Sequence, residues 1–199
     1  MTMFDSTVPA SLQRDLGRAL RSGRYERTDD GRILLASAGM CIGGAFSDAL
    51  NVEPLRLLQN TVVAQGINAL LDAFFRQQTA PTGFYIAPFS GNVAPDGATL
   101  TAANFTATQT EFTDYDETTR VEWTPAAAAS SAIGNTASPA DFTINKADST
   151  IWGWALLTAS AKSATTGVLV AAAKDDAARS ALRVGDVLHA TYQITGTST

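Results

Sequence analysis

Apolar residues recur along this chain with two different periods, and the change falls near residue 80. Before it the spacing is helical. In "PASLQRDLGRALRS" (9–22) Leu12, Leu16 and Leu20 repeat every fourth position, which predicts a helix with one narrow apolar stripe. Pro9 suits its first turn and Gly23 its end. Arg14, Arg18 and Arg21 fall on another face. A helix this short is marginal alone in water, so its stripe needs a partner surface. In "NTVVAQGINALLDAFF" (60–75) the apolar face is broad, with Val62, Val63, Ile67, Leu70, Leu71, Phe74 and Phe75 at helical spacing. Asn60 or Thr61 can cap its start. Gly66 weakens it by about 1 kcal/mol relative to Ala. So broad a face is expected to lie buried against a sheet, with Leu70 and Leu71 at its centre.

Between these helices, "RYERTDDGRILLA" carries the turn signal Asp30-Gly31 between two short strands. "GMCIGGAF" holds Gly39, Gly43 and Gly44 but lacks the Lys-Ser/Thr ending of a phosphate loop. It reads as tight turns or close backbone approach.

From residue 82 the period shortens to two. "GFYIAPF" (83–89), "NFTATQTEF" (104–112), "RVEWT" (120–124), "DFTIN" (141–145), "IWGWALLTA" (151–159), "TGVLVAAAK" (166–174) and "GDVLHATYQIT" (185–195) are bounded by Gly, Pro, Asn and Asp. In the last, Leu188, Ala190, Tyr192 and Ile194 share one face. The Ala-rich piece 125–138 reads as a loop. Seven short strands predict a mainly β fold. The expected architecture is an antiparallel β-sandwich over 51–199 that includes the packed helix 60–75. An N-terminal helical arm with a hairpin precedes it over 1–50.

Charged residues make up 17% of the 199, below the usual quarter, and Ala, Thr and Ser fill the difference. A surface of this kind suits many weak contacts with neighbouring subunits. The net charge of −5 argues against a general nucleic-acid binder. The charge is uneven: residues 1–35 carry six Arg and no Lys, whereas the part from residue 100 onward has ten acids against six bases. With one cysteine, Cys41, no intramolecular disulfide forms, in keeping with a reducing compartment. No signal peptide and no membrane span are expected from the apolar runs.

The candidate chemistry is thin. Glu111, Asp114, Asp116, Glu117 and Glu122 crowd around Arg120 in "EFTDYDETTRVEW". A calcium loop would need Gly at the sixth position from Asp114, where Thr119 stands. The stretch reads as a solvated turn between strands, with Arg120 in an ordinary surface pair. His189 is the single histidine, so one chain holds no multi-histidine metal site, and no Gly-x-Ser-x-Gly elbow is present. Trp152 and Trp154 share one face of a regular strand; such aromatics more often belong to a core or subunit interface, and the alternative is a surface-aromatic pair for stacking on a sugar. No catalytic, cofactor or metal residues are assigned, and no enzyme activity is expected.

The ordered run "VVAQGINALLDAFF", "TGFYIAPFSGNVAPDGATLTAANF", "TEFTDYDETTRVEWTPAAA", "NTASPADFTIN", "IWGWALLTASAKSATTGVLVAAA" and "LRVGDVLHATYQIT" resembles small virion structural proteins of tailed bacteriophages, over about residues 60–195. The resemblance implies a virion protein made in the host bacterial cytoplasm; within that setting the neutral Thr/Ala/Ser surface, the lack of catalytic groups and the N-terminal arm suit a capsid decoration or cement protein. Its implied partners are the major capsid protein or other virion proteins and further copies of itself, with no nucleic acid, membrane or cofactor. A tail, collar or baseplate component and a carbohydrate- or receptor-binding module are the alternatives. Leu12, Arg14, Leu16, Arg18, Leu20 and Arg21 are the candidate subunit-contact residues, the leucines for an apolar groove and the arginines for an acidic neighbour.

Overall fold

The computed structural model of the chain describes residues 25–27, 33–35 and 40–198. The helix expected over 9–22, with Leu12, Arg14, Leu16, Arg18, Leu20 and Arg21, lies outside the described residues. Strands β1 (Tyr25–Arg27) and β2 (Ile33–Leu35) pair antiparallel, with Tyr25 opposite Leu35. The turn expected at Asp30-Gly31 lies outside the described residues. The β1–β2 pair belongs to a unit separate from the body, which begins at Ile42.

The body is mainly β, with two antiparallel sheets. The first has the order β5 (Thr61–Val62), β11 (Leu169–Leu182), β10 (Ser149–Leu157), β6 (Tyr85–Phe89) and β7 (Val121–Glu122). The second has the order β4 (Arg56–Gln59), β3 (Met40–Leu50), β12 (Val187–Ser198) and β8 (Ala132–Gly134), and β9 (Ala140–Thr143) also pairs with β12. Strand β3 therefore places residues 42–50, expected in the arm, in the body. The backbone around Gly44 is extended and tightly packed. A Cβ there would stand 2.6 Å from the Gln193 carbonyl oxygen, so the glycine serves close approach and not a turn.

One apolar core joins the two sheets. Phe46, Leu58, Phe142, Leu188, Ala190 and Tyr192 come from the second sheet, and Ile86, Ile151, Trp154, Leu156, Ala171 and Ala173 from the first. The alternation in β12 sends Leu188, Ala190 and Tyr192 inward, as its period of two requires. The first sheet is apolar on its other face as well. There Ala87, Phe89, Ala155, Leu157, Leu169 and Ala172 pack against Leu100, Ala102 and Phe105. That double burial explains the unbroken apolar runs "WALL" and "LVAAA".

Several expectations are corrected. The segment 104–112 is not a strand. A four-residue helix, α2 (Ala102–Phe105), runs into a π-turn over Thr106–Thr110. A Thr101/Asn104 capping box starts it, each side chain meeting the other's backbone. Phe105 then covers the first sheet, edge-on to Phe89 at 6.2 Å. The loop 125–138 contains the short strand β8, and β11 runs on through Lys174 to Leu182. Trp152 and Trp154 do not share a face, because register shifts on both sides of Ile151 interrupt the alternation of β10. Trp154 lies in the inter-sheet core and Trp152 packs with the outer cluster. Next to them, a Cβ on Gly153 would collide with the Ala173 carbonyl and the Phe89 ring, so only glycine fits.

The largest correction concerns helix α1 (Ala64–Phe75). It starts later than expected, because Thr61 and Val62 form β5 opposite Ala172 and Ala171. Its hydrogen-bonded anchors lie in the first turn, and Ala69, Asp72 and Ala73 on the same side are half-buried. Gln65 Oε1 accepts hydrogen bonds from the backbone of Ala102 and Leu169, both at 2.9 Å. Gly66, the buried residue of the helix, lies on Val170, where a Cβ would stand 2.5 Å from the carbonyl oxygen. The large apolar side chains expected to be buried are exposed instead: Ile67 41%, Leu70 47%, Leu71 44%, Phe74 76% and Phe75 72%. The physical reason is occupancy, since Leu100, Ala102 and Phe105 already fill the outer face of the first sheet.

These positions predict opposite outcomes for one substitution type. Leu156→Ala, from a fully buried site, is expected to cost about 2–5 kcal/mol in chemical denaturation. Leu71→Ala is expected to change the stability of the monomer by less than about 1 kcal/mol. Equal losses at the two sites would show that α1 is packed within its own subunit.

Candidate functional site

Two buried ionic centres and one exposed apolar surface are the features of the body that stand out from ordinary packing. The first centre is Asp48, fully buried on β3. Phe46 and Asp48 sit two apart, so the pleat that buries the ring also buries the carboxylate. From its own sheet, Arg56 on β4 donates to both carboxylate oxygens, at 3.0 and 3.1 Å. From the facing sheet, Trp154 Nε1 donates at 2.8 Å and Arg179 Nη2 at 2.9 Å. Arg56 also pairs with Asp175 and Arg179 with Glu53. Burial alone would raise the Asp48 pKa. Hydrogen bonds from Arg56, Trp154 and Arg179, with the Arg56 charge, outweigh it and hold the carboxyl below its usual value of 3.8.

The second centre is the acidic stretch. Arg120 is not in a surface pair: it is buried and meets Glu111 side by side, Nε to Oε1 at 2.8 Å and Nη2 to Oε2 at 2.7 Å. Arg120 also donates to the carbonyls of Ala159 and Ala164, at 3.0 and 3.1 Å. Glu111 accepts from the Thr106 hydroxyl and the Ser163 backbone, both at 3.1 Å. The pair thus ties the 158–168 loop to the end of the π-turn. Lys162 on that loop sits 3.5 Å over the Tyr115 ring and donates to the carbonyls of Thr113 and Tyr115. Burial lowers the Lys162 pKa, against the raising effect of Glu117, Asp114, Asp116 and Glu111. Burial also pushes the Tyr115 hydroxyl up, helped by the Glu111 charge. The outer acids behave as a solvated turn: Asp114 pairs with exposed Lys146, and Asp116 and Glu122 face solvent.

Neither centre presents a free reacting group. Their charged atoms are turned on one another and on backbone carbonyls and amides. His189 lies on the outer face of the second sheet, 2.6 Å from Asp141 on β9. Among the described residues no group of three His, Cys, Asp or Glu side chains is placed to hold a metal ion. No described helix is long and apolar enough to cross a membrane. Trp154 is fully buried, in line with the core reading, so the candidate surface-aromatic pair does not form, and the Trp152 ring is faced by Lys174 Nζ at 4.6 Å. Sequence reading missed Asp48 and its arginines. The available signal was a charged residue on the apolar phase of a strand, Phe46-x-Asp48.

The exposed surface is the α1 face. The helix has one charged residue, Asp72, on its other side and paired with Arg76 at 3.0 Å. Phe74 and Phe75 stand edge to face at 5.0 Å. Compared with known proteins, the chain matches no family model and no curated protein.

Arg120→Ala is expected to destabilise the body by about 3–5 kcal/mol, since it strands a buried carboxylate. Asp114→Asn with Asp116→Asn is expected to shift stability by only about 0.5 kcal/mol. Melting curves of the two variants check the contrast. Asp48 predicts a pH dependence. Its folded pKa lies below the unfolded one, so its contribution is complete above about pH 4 and is lost as pH falls through the folded value. The melting-temperature gap between the parent and Asp48→Asn should therefore be constant near neutrality and shrink below about pH 4. A gap that stays constant down to pH 2 would contradict the assignment.

Proposed function

We propose that the chain is a structural subunit of a tailed-phage virion: a β-sandwich that serves as a capsid decoration or cement protein. The observation that carries this reading is the exposed apolar face of α1. A folded body with this much uncovered apolar surface on one element is built to be covered by a neighbour. The buried ionic centres support it, because their charges fasten strands and loops and so give a stiff body for repeated contacts. The motif order from residue 60 to 195 supplies the virion setting. In that setting the partners are the major capsid protein and further copies of this chain. Each contact can be weak, since many copies repeat it over a closed shell.

The test is the number of copies per purified particle, measured by quantitative mass spectrometry against the major capsid protein. A decoration protein is expected at hundreds of copies. A few to a few dozen would move the chain to the tail, collar or baseplate, and absence from particles would end the virion reading.

A further inference from the structure

We propose that α1 is a self-association surface, on which two copies of this chain pair their helices antiparallel across a two-fold axis, Leu70 of each against Leu71 of the other. The proposal deepens the reading of the chain as an assembly subunit and rests on it. Ile67, Leu70, Leu71, Phe74 and Phe75 are all more than two-fifths exposed along a three-turn helix. Together they present on the order of 500 Å² of apolar surface, the upper end of what a monomer carries. A standard interface buries about 800 Å² per partner, so the helix supplies more than half of one.

Charge and register choose the occupant. Asp72 is the one charged residue of α1, and Arg76 just beyond it offsets that charge. A charged partner would find nothing to pair with. An anionic lipid surface needs a rim of Lys and Arg, and here only Arg76 is present. A neutral apolar face that matches itself is what a two-fold contact requires. Centred between Leu70 and Leu71, the antiparallel register sets Ile67 against Phe74 of the second copy, a small side chain against a large one. Asp72 lies on the other side of the helix with Gly66, Ala69 and Ala73, so no charge enters the contact. A parallel pair would bring the bulky Phe74 onto Phe74. The anchors at Gln65 and Gly66 hold one side of the helix to the sheet, and the opposite apolar side stays free to dock.

The test is sedimentation of the full chain from micromolar to millimolar concentration. The parent is expected to dimerise as concentration rises. Leu70→Glu and Phe74→Glu are expected to weaken dimerisation by about tenfold or more, with the circular dichroism and melting of the monomer retained. For register, Ile67→Cys and Phe74→Cys chains, each with Cys41→Ser, are oxidised separately and mixed. The mixture should form disulfide dimers well beyond either chain alone. A parent that stays monomeric at millimolar concentration would overturn the proposal. So would Glu variants that dimerise like the parent, Glu variants that fail to fold, or an Ile67→Cys chain that cross-links to itself as well as to Phe74→Cys. The proposed function fails separately. A monomeric parent found in many copies per particle would end the self-pairing alone, and a dimer missing from particles would end the virion reading alone.

Discussion

Asp48 is the constraint on which the two sheets depend. Its carboxylate sits in the apolar core, where an isolated charge would be too costly to keep. It is tolerated because Arg56 reaches it from the same sheet and Arg179 and Trp154 reach it from the other. Each of those donors must be in place for the charge to remain buried. The hydrophobic effect drives the sheets together without specifying an angle or register. The hydrogen bonds around Asp48 add direction, linking β3, β4, β10 and β11 at one point. The same point explains why Trp154, the largest buried side chain, faces inward: its indole nitrogen has a partner there.

The Glu111–Arg120 pair does the same for irregular backbone. The π-turn over Thr106–Thr110 and the 158–168 loop leave carbonyls and amides that no sheet pairs. Arg120 donates to two of those carbonyls and Glu111 accepts one of those amides. Two opposite charges are thereby used as connectors for chain that has no ladder of its own. In this body the buried ions are devices of construction. Among the described residues the least ordinary surface is α1, whose apolar face lies opposite the side that rests on the sheet.

What the sequence determined by itself was the local and periodic part. The strands β6, β9, β10, β11 and β12 follow from alternation and apolar runs. The inward set of β12 follows from a period of two. Helix α1 follows from 3.6-residue spacing. These depend on neighbours in the chain, which sequence displays directly. Segment 104–112 was misread because its Thr-rich composition favours a strand, while the Thr101/Asn104 capping box and the covering role of Phe105 favour a helical turn.

Tertiary structure decided which apolar face is covered. The pattern of α1 states that one side is apolar; it cannot state that Leu100, Ala102 and Phe105, from a later segment, take the place that side would fill. It likewise decided the partners of charges. Glu111 and Arg120 lie nine residues apart, and Asp48 and Arg179 lie 131 apart. Whether such residues are solvated or buried in pairs depends on which strands face one another. The register shift at Ile151–Gly153, which separates Trp152 from Trp154, lies where the Gly153 backbone passes close to Phe89 and Ala173 on neighbouring strands. Periodicity belongs to the chain, but burial belongs to the space between segments, and that space exists only once the sheets have met.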